Sequence, residues 1–281
     1  MPVYAFKFDE STDEKEPRRF FAIGGLIATD SQWQTLERDW DDCIAKQNLE
    51  CKEDQKITGY HGSTMNALSG EFVKWNETLS RSFTKKMLDT ISKSEGSWLS
   101  ICWDMDALRE EFPEKDDKRA AAYFLGVMLA SVTLGKVLHQ AKQSAVFMFH
   151  HHEEWAALSM SAFSKVKSDE RLPYRDALLS IAPIYNGDRA VEVADLCSYE
   201  AYREIKRRVL EPDRRPRHAF TWLSEHGVDP GLIWIDKDKV RSLREMISQR
   251  SETFTERTKE ALSASKDKTL RETSGKVDRV P

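Results

Sequence analysis

The stretch Val3 to Glu10 reads VYAFKFDE, and the interpretation of the whole chain starts from it. Aromatic and β-branched side chains alternate there with smaller or polar ones, which is typical of a β-strand. Two adjacent carboxylates, Asp9 and Glu10, follow the predicted strand Val3–Phe8. Because residues at the end of a central strand project into the crevice where open α/β sheets bind ligands, we expect an acidic site there.

The two carboxylates are not equivalent as metal ligands. Successive side chains of a strand point to opposite faces, so only one of the pair is a direct ligand unless the backbone bends. We assign this role to Asp9 and treat Glu10 as a conditional ligand. A hard divalent cation is held by a few carboxylate oxygens and keeps several waters, so the expected cofactor is Mg²⁺ or Mn²⁺.

Further strands and helices follow in an order that sets the fold class. A second apolar run, Phe20–Ala28, comes after a charged turn and predicts an antiparallel neighbour of the first strand. Later strands are predicted at Trp98–Trp103, Ala145–Phe149 and Leu178–Ile184. Helical spacing predicts helices from Ser31, within 68–91, and over 119–140, 153–167 and 191–209. A hairpin followed by alternating strands and helices predicts an α/β protein with a mixed sheet flanked by helices.

The pattern weakens towards the C-terminus, which bounds the predicted domain. We expect a single domain over residues 1–250, with a helical extension from about residue 211. In that extension 220–223 and 232–235 are small apolar anchors, and Val240–Ile247 is a short amphipathic helix. Residues 251–281 lose large apolar side chains, which is typical of a flexible tail.

Composition indicates a soluble globular protein. Of 281 residues, 40% are hydrophobic and 32% are charged. The longest apolar stretch, Ala120–Leu138, is interrupted by Gly126 and Lys136, which predicts a buried helix rather than a membrane span. There is no secretory signal pattern at the start, and the four cysteines are scattered. We therefore expect a cytoplasmic protein with reduced thiols and no membrane partner.

The charge distribution indicates nucleic-acid binding at one segment of the chain rather than over the whole protein. The formal net charge of -4 offers no overall attraction to phosphate backbones. A basic cluster nevertheless runs through Arg207 and Arg208 to Arg214 and Arg215. It is a candidate phosphate-binding surface. The alternative is a solvated helix end, where the helix dipole also favours cations.

A further carboxylate lies in the helix predicted at 191–209. Asp195 occurs in the segment Val191–Leu196, which is otherwise rich in apolar residues. It is a candidate metal ligand at the start of a helix that packs on the sheet. The alternative is that Asp195 has no role in metal binding, because the helix dipole stabilises an acidic residue near the N-terminus of any helix.

Three segments together resemble a known family. They are FDES at Phe8–Ser11, YHGS at Tyr60–Ser63 with EFVKW at Glu71–Trp75, and VADL at Val193–Leu196 with YEAYR at Tyr199–Arg203. In this order they are similar to the bacterial and phage group called domain-of-unknown-function family 3800, which is assigned an RNase H-like fold. The resemblance implies an RNase H-like sheet and a carboxylate site of Asp9, conditionally Glu10, and Asp195. It also implies an Asp after the strand Ala145–Phe149.

The chain departs from the family at that last position. His150 stands where the Asp is expected, followed by His151, His152, Glu153 and Glu154. Imidazole suits Zn²⁺ or Mn²⁺ better than Mg²⁺, so either the metal preference differs or Glu153 supplies the oxygen ligand. A third outcome is loss of catalysis. His150 is the preferred site residue, as a ligand or as a general base, against the alternative of a polar strand end without a role.

These residues lead to a functional hypothesis with alternatives. We expect a metal-dependent nuclease or related phosphodiester hydrolase, with nucleic acid as its partner and Asp9, Glu10, His150 and Asp195 as catalytic residues. His61 is expected to contact substrate or orient a carboxylate, unless it is a structural loop residue. The alternatives are a catalytically degenerate binding or regulatory protein, and a phosphohydrolase of small molecules. The arginine cluster distinguishes a nuclease from a phosphohydrolase of small molecules, because only a polynucleotide needs a long basic surface.

Overall fold

A mixed β-sheet is the centre of the fold. The structure is a computed structural model that describes residues 2–13, 19–113, 117–226 and 230–246. The strands are β1 (Val3–Thr12), β2 (Phe20–Thr29), β3 (Ser97–Asp104), β4 (Ser144–His150), β5 (Leu178–Ile184) and β6 (Gly231–Ile235). Their spatial order is β5-β4-β1-β2-β3-β6. β2 is antiparallel to both of its neighbours, β1 and β3. β4 pairs in parallel with β1 and β5 with β4, and β6 pairs in parallel with β3.

Helices cover both faces of this sheet, which confirms the predicted α/β class with a mixed sheet flanked by helices. The helices are α1 (Asp30–Glu50), α2 (Gly62–Asn66), α3 (Glu77–Lys93), α4 (Met105–Glu111), α5 (Lys118–Gln140), α6 (Glu153–Lys167), α7 (Arg189–Leu210) and α8 (His218–Glu225). Buried side chains of α1, α3 and α7 form one core with β2. On the other face Phe147 packs on Phe163 of α6, and Tyr123 of α5 stacks on Trp155.

Local sequence explains where the helices begin. Thr29 caps α1 in a reciprocal capping box with Gln32. Asp188 caps α7 after a turn in which Gly187 adopts a φ of +94°, a conformation that favours glycine. Asp104 caps α4 by accepting the backbone N–H of Asp106 and of Ala107.

A glycine sets how closely α7 approaches the sheet. A side chain at Gly24 in β2 would come within 2.7 Å of the Cα of Ser198. The missing Cβ therefore lets the backbone of α7 lie directly on the strand. This contact holds the start of α7, with Asp195, over the middle of the sheet.

The structure differs from the sequence prediction in two places. β1 continues to Thr12, so Asp9 and Glu10 lie within the strand rather than after it. Residues 231–235 pair with β3 as a strand, although an apolar anchor in a helical extension was expected. The first difference matters for the site, because the pairing of β1 with β4 ends at Phe8 and leaves Asp9 just beyond it.

The chain divides into two compact units. The first spans Met1–Ile235 and ends with β6, fifteen residues short of the predicted domain boundary at about residue 250. The second spans Asp236–Pro281, and within it residues 237–246 form a helix. The predicted tail, residues 251–281, lies outside the described residues.

One helix of the described residues, α5, is long and apolar enough to cross a membrane by length and composition alone. Half of its apolar window is buried inside the protein. This burial agrees with the predicted core helix. The four cysteines are free thiols.

Candidate metal centre

Asp9 and His150 meet where β1 and β4 stop pairing. Nδ1 of His150 lies 3.2 Å from Oδ1 of Asp9, and both residues are buried. Nε2 of His150 lies 2.8 Å from Oδ1 of Asn186, in the turn after β5. Burial lowers the pKa of His150. The hydrogen bonds to Asp9 and Asn186 have a larger effect in the opposite direction, so the pKa of His150 is raised overall. The imidazole is therefore held between a carboxylate and an amide in one orientation.

His152 completes a group of three ligands. Asp9, His150 and His152 each offer one ligand atom, and these atoms all lie within 4.8 Å of one another. The rings of His150 and His152 are 4.3 Å apart between centroids. Burial and the charge of His150 both lower the pKa of His152. His152 was absent from the predicted ligands. Its spacing of two from His150 would place both on one strand face only if the strand continued, and β4 ends at His150.

Glu10 lies on the opposite face of β1, beside the start of α5. Its Oε1 is 3.8 Å from Nε2 of His152 and 3.9 Å from the guanidinium of Arg119. Its Oε2 is buried and has no hydrogen-bond partner among the described residues. Burial, followed by the charge of Asp9, raises its pKa well above the ordinary range. A buried, unpartnered carboxylate oxygen is costly, and a cation beside it would offset the cost.

Asp195 lies close enough to Asp9 for the two charges to interact. Burial, then the charge of Asp9, raises the pKa of Asp195 to about 6. Its Oδ2 accepts the backbone N–H of Gly62 at 2.7 Å and is 3.5 Å from Nδ1 of His61. Asp195 is outside the group of three ligands. The structure thus brings it to the same region as Asp9 and His150 but gives it a partner in the 57–62 loop.

His61 lies at the exposed edge of this region. Its side chain is 62% exposed and faces the carboxylate of Asp195. The loop that carries it is tied to α7, because Oε2 of Glu192 accepts the N–H of Tyr60 at 2.8 Å and the indole N–H of Trp40 at 2.8 Å. Substrate contact by His61, or orientation of a carboxylate by it, stays a prediction.

Glu153, predicted as an alternative oxygen ligand, begins α6 and is exposed. It is not part of the group formed by Asp9, His150 and His152. The imidazole of His152, rather than the carboxylate of Glu153, occupies the position next to His150.

The arginine cluster is separate from this centre. Arg207 and Arg208 both donate to the buried carboxylate of Glu204, and Arg207 also donates to the carbonyl of Arg214. Arg214 itself pairs with Glu211, and Arg215 is exposed. At about 1.5 Å per residue, Arg207 lies about 18 Å further along α7 than Asp195. Arg207 and Arg208 therefore neutralise a buried acid, and contact of the cluster with substrate stays a prediction.

The chain matches no known protein-family model, and no curated protein matches it significantly. Because the fold by itself does not determine an activity, the chemistry of the site is the basis for a functional proposal.

Proposed function

We propose that this chain is a metal-dependent phosphodiester hydrolase that acts on nucleic acid, with Asp9, His150 and His152 as its metal ligands. The observation that carries the proposal is that their three ligand atoms lie within 4.8 Å of one another. They are located where the parallel strands β1 and β4 stop pairing, a part of the sheet where α/β proteins bind ligands. Asp9 lies within β1, His150 ends β4, and His152 precedes α6.

The donor set favours a particular class of metal. One carboxylate oxygen and two imidazole nitrogens suit Mn²⁺ or Zn²⁺ better than Mg²⁺, which prefers oxygen ligands. We therefore propose Mn²⁺ ahead of Mg²⁺ as the cofactor. The buried Oε2 of Glu10 supports a bound cation of either kind, because it has no hydrogen-bond partner among the described residues. A divalent cation in this position supplies an activated water and stabilises charge on the leaving oxygen.

The remaining residues of the centre have supporting roles in the proposal. Asn186 fixes the ring of His150 through its Nε2, which is how metal-ligating histidines are commonly oriented. Asp195 holds the 57–62 loop through the N–H of Gly62. This leaves His61 at the exposed edge, where a substrate phosphate would arrive. Asp195 adds negative charge that a cation would balance.

A cleavage assay tests the proposal directly. The full chain is incubated with Mn²⁺ or Mg²⁺ and with single-stranded and double-stranded DNA and RNA, alongside bis-p-nitrophenyl phosphate as a small phosphodiester. We expect Mn²⁺-dependent cleavage that is lost in Asp9→Asn and His152→Ala. Val137→Ala, an exposed change at the far end of α5, is the matched control. Identical behaviour of wild type and Asp9→Asn on every substrate and metal would sink the proposal.

The same assay separates the alternatives raised by the sequence. Cleavage of the small phosphodiester without any polynucleotide cleavage favours a phosphohydrolase of small molecules. Absence of both activities, together with absence of metal binding, favours a degenerate binding or regulatory protein.

The proposal also covers the family to which this chain is related and its location in the cell. The FDES, YHGS and VADL segments motivate a relationship to domain-of-unknown-function family 3800, with an RNase H-like site in which His150 replaces an Asp. The free cysteines and the buried face of α5 agree with a cytoplasmic location.

A further inference from the structure

An exposed aromatic pair lies at the ends of the neighbouring parallel strands β4 and β5. The rings of His151 and Tyr185 are 5.0 Å apart between centroids and inclined by 31°. The Tyr185 side chain is nevertheless 59% exposed. His151 therefore supports one side of the tyrosine ring and leaves much of the ring open to solvent.

The backbone on both sides of this pair is fixed. The N–H of His151 donates to the carbonyl of Ile184 at 2.8 Å, which extends the β4–β5 ladder by one residue. The carbonyl of Tyr185 accepts the N–H of Asp188 at 3.1 Å and closes the turn that starts α7. An exposed ring on such a backbone loses little conformational entropy when a second ring stacks on it.

The pair adjoins the candidate metal centre along the chain. His151 stands between the two candidate histidine ligands His150 and His152. Tyr185 precedes Asn186, whose side chain lies 2.8 Å from His150. A strand with one base stacked on Tyr185 could therefore extend towards the candidate ligands.

The charge of the protein makes stacking the favoured source of affinity for nucleic acid here. The net charge is -4, and Arg207, Arg208 and Arg214 are engaged with Glu204 and Glu211. Aromatic side chains bind single strands of any sequence, because every base has a π-face. In a duplex the bases are already stacked on each other and are not available to such a ring.

We propose that Tyr185, supported by His151, is a stacking platform for one unpaired base of a single-stranded nucleic acid. This rests on the proposed function, and it names the substrate class of that same site. An isolated exposed tyrosine is common on protein surfaces and needs no role, so the platform is tested against that alternative.

Fluorescence anisotropy on the full chain provides the test. The probe is a short fluorescein-labelled oligo-dT, measured in EDTA so that the strand stays intact. We expect Tyr185→Ala to weaken binding roughly 5- to 100-fold, the range that loss of one stacked base gives. Tyr185→Phe keeps the ring and should bind like wild type. Val137→Ala removes a side chain of similar exposure far from the pair and is the control.

A second probe isolates the base from the backbone. Replacing the thymines by abasic sites should lower wild-type affinity and remove the difference between wild type and Tyr185→Ala. The inference is overturned if Tyr185→Ala binds oligo-dT like wild type, if the abasic strand binds as tightly as oligo-dT, or if wild type binds no oligonucleotide. It is also overturned if Tyr185→Ala weakens duplex binding to the same extent. None of these results touches Asp9-dependent cleavage in the metal-dependent assay of polynucleotides and bis-p-nitrophenyl phosphate, which tests the proposed function separately.

Discussion

Glu192 and Asp195 lie one turn apart on α7, and each accepts a backbone N–H from the same loop. Oε2 of Glu192 accepts the N–H of Tyr60 at 2.8 Å, and Oδ2 of Asp195 accepts the N–H of Gly62 at 2.7 Å. The two bonds flank His61. This pairing is the physical reason that His61 lies beside Asp195.

Replacing Glu192 by Ala should release this loop. The substitution leaves the N–H of Tyr60 and the indole N–H of Trp40 without their acceptor, and it removes an ion-pair partner of Arg189. We expect a loss of about 1–3 kcal/mol in the free energy of unfolding. Amide hydrogen exchange should become faster at Tyr60 and Gly62. Asp42→Ala, at an exposed position of α1, is the control, and unchanged exchange at Tyr60 would contradict the assigned role.

Glu10 should make stability depend on pH in a defined direction. Burial and the charge of Asp9 raise its folded-state pKa, so the folded protein holds this proton more tightly than the unfolded chain. The associated stability is fully present below the unfolded pKa and is lost as the pH rises towards the folded pKa. Glu10→Gln cannot ionise and should escape that loss.

Urea unfolding in EDTA, between about pH 4 and pH 8, measures the effect. Glu10→Gln should gain stability relative to wild type as the pH rises, with a small difference at the acid end. Asp195, whose pKa is also raised, is present in both proteins and cancels in the comparison. A difference that is constant with pH, or that grows towards acid pH, would show that the carboxyl is not destabilised by burial.

The arginines near the end of α7 should divide into two functional classes. Arg207 is a partner of the fully buried Glu204, so Arg207→Ala should destabilise the fold by about 2–4 kcal/mol, below the full cost of an unpaired buried charge because Arg208 remains. The double change Arg214→Ala and Arg215→Ala should alter stability by less than about 0.5 kcal/mol. Chemical denaturation measures both.

The double variant also tests the predicted phosphate contact. If Arg214 and Arg215 contact a polynucleotide backbone, their removal should weaken oligonucleotide binding and flatten its dependence on salt. An unchanged salt dependence would show that the cluster is a solvated helix end that does not contact the polynucleotide backbone.

Residues at strand ends were predictable because local sequence determines them. The alternation up to Phe8 located Asp9, the apolar run before His150 located that residue, and the Asn186–Asp188 turn marked the start of α7. The alternation of side chains along a strand was enough to predict that Asp9 and Glu10 point to opposite faces. The structure places the two on opposite faces.

Other features depend on tertiary contacts that the sequence does not encode locally. His152 approaches both His150 and Glu10 only because the chain bends between β4 and α6. β6 is a short strand whose partner, β3, lies more than a hundred residues earlier, so its five residues looked like an anchor. Arg207 and Arg208 looked like a surface cluster because nothing local shows that Glu204 is buried between them.

Isothermal titration of the full chain with Mn²⁺ tests the central claim most directly, because it measures the metal centre without requiring a substrate. Wild type should bind Mn²⁺, and Asp9→Asn and His152→Ala should each weaken binding by at least about tenfold, as loss of a ligand does. His151→Ala, a change of the same residue type beside both histidine ligands, should bind Mn²⁺ like wild type. Equal affinity in all four proteins, or no binding by wild type, would contradict the assignment of Asp9, His150 and His152 as a metal centre.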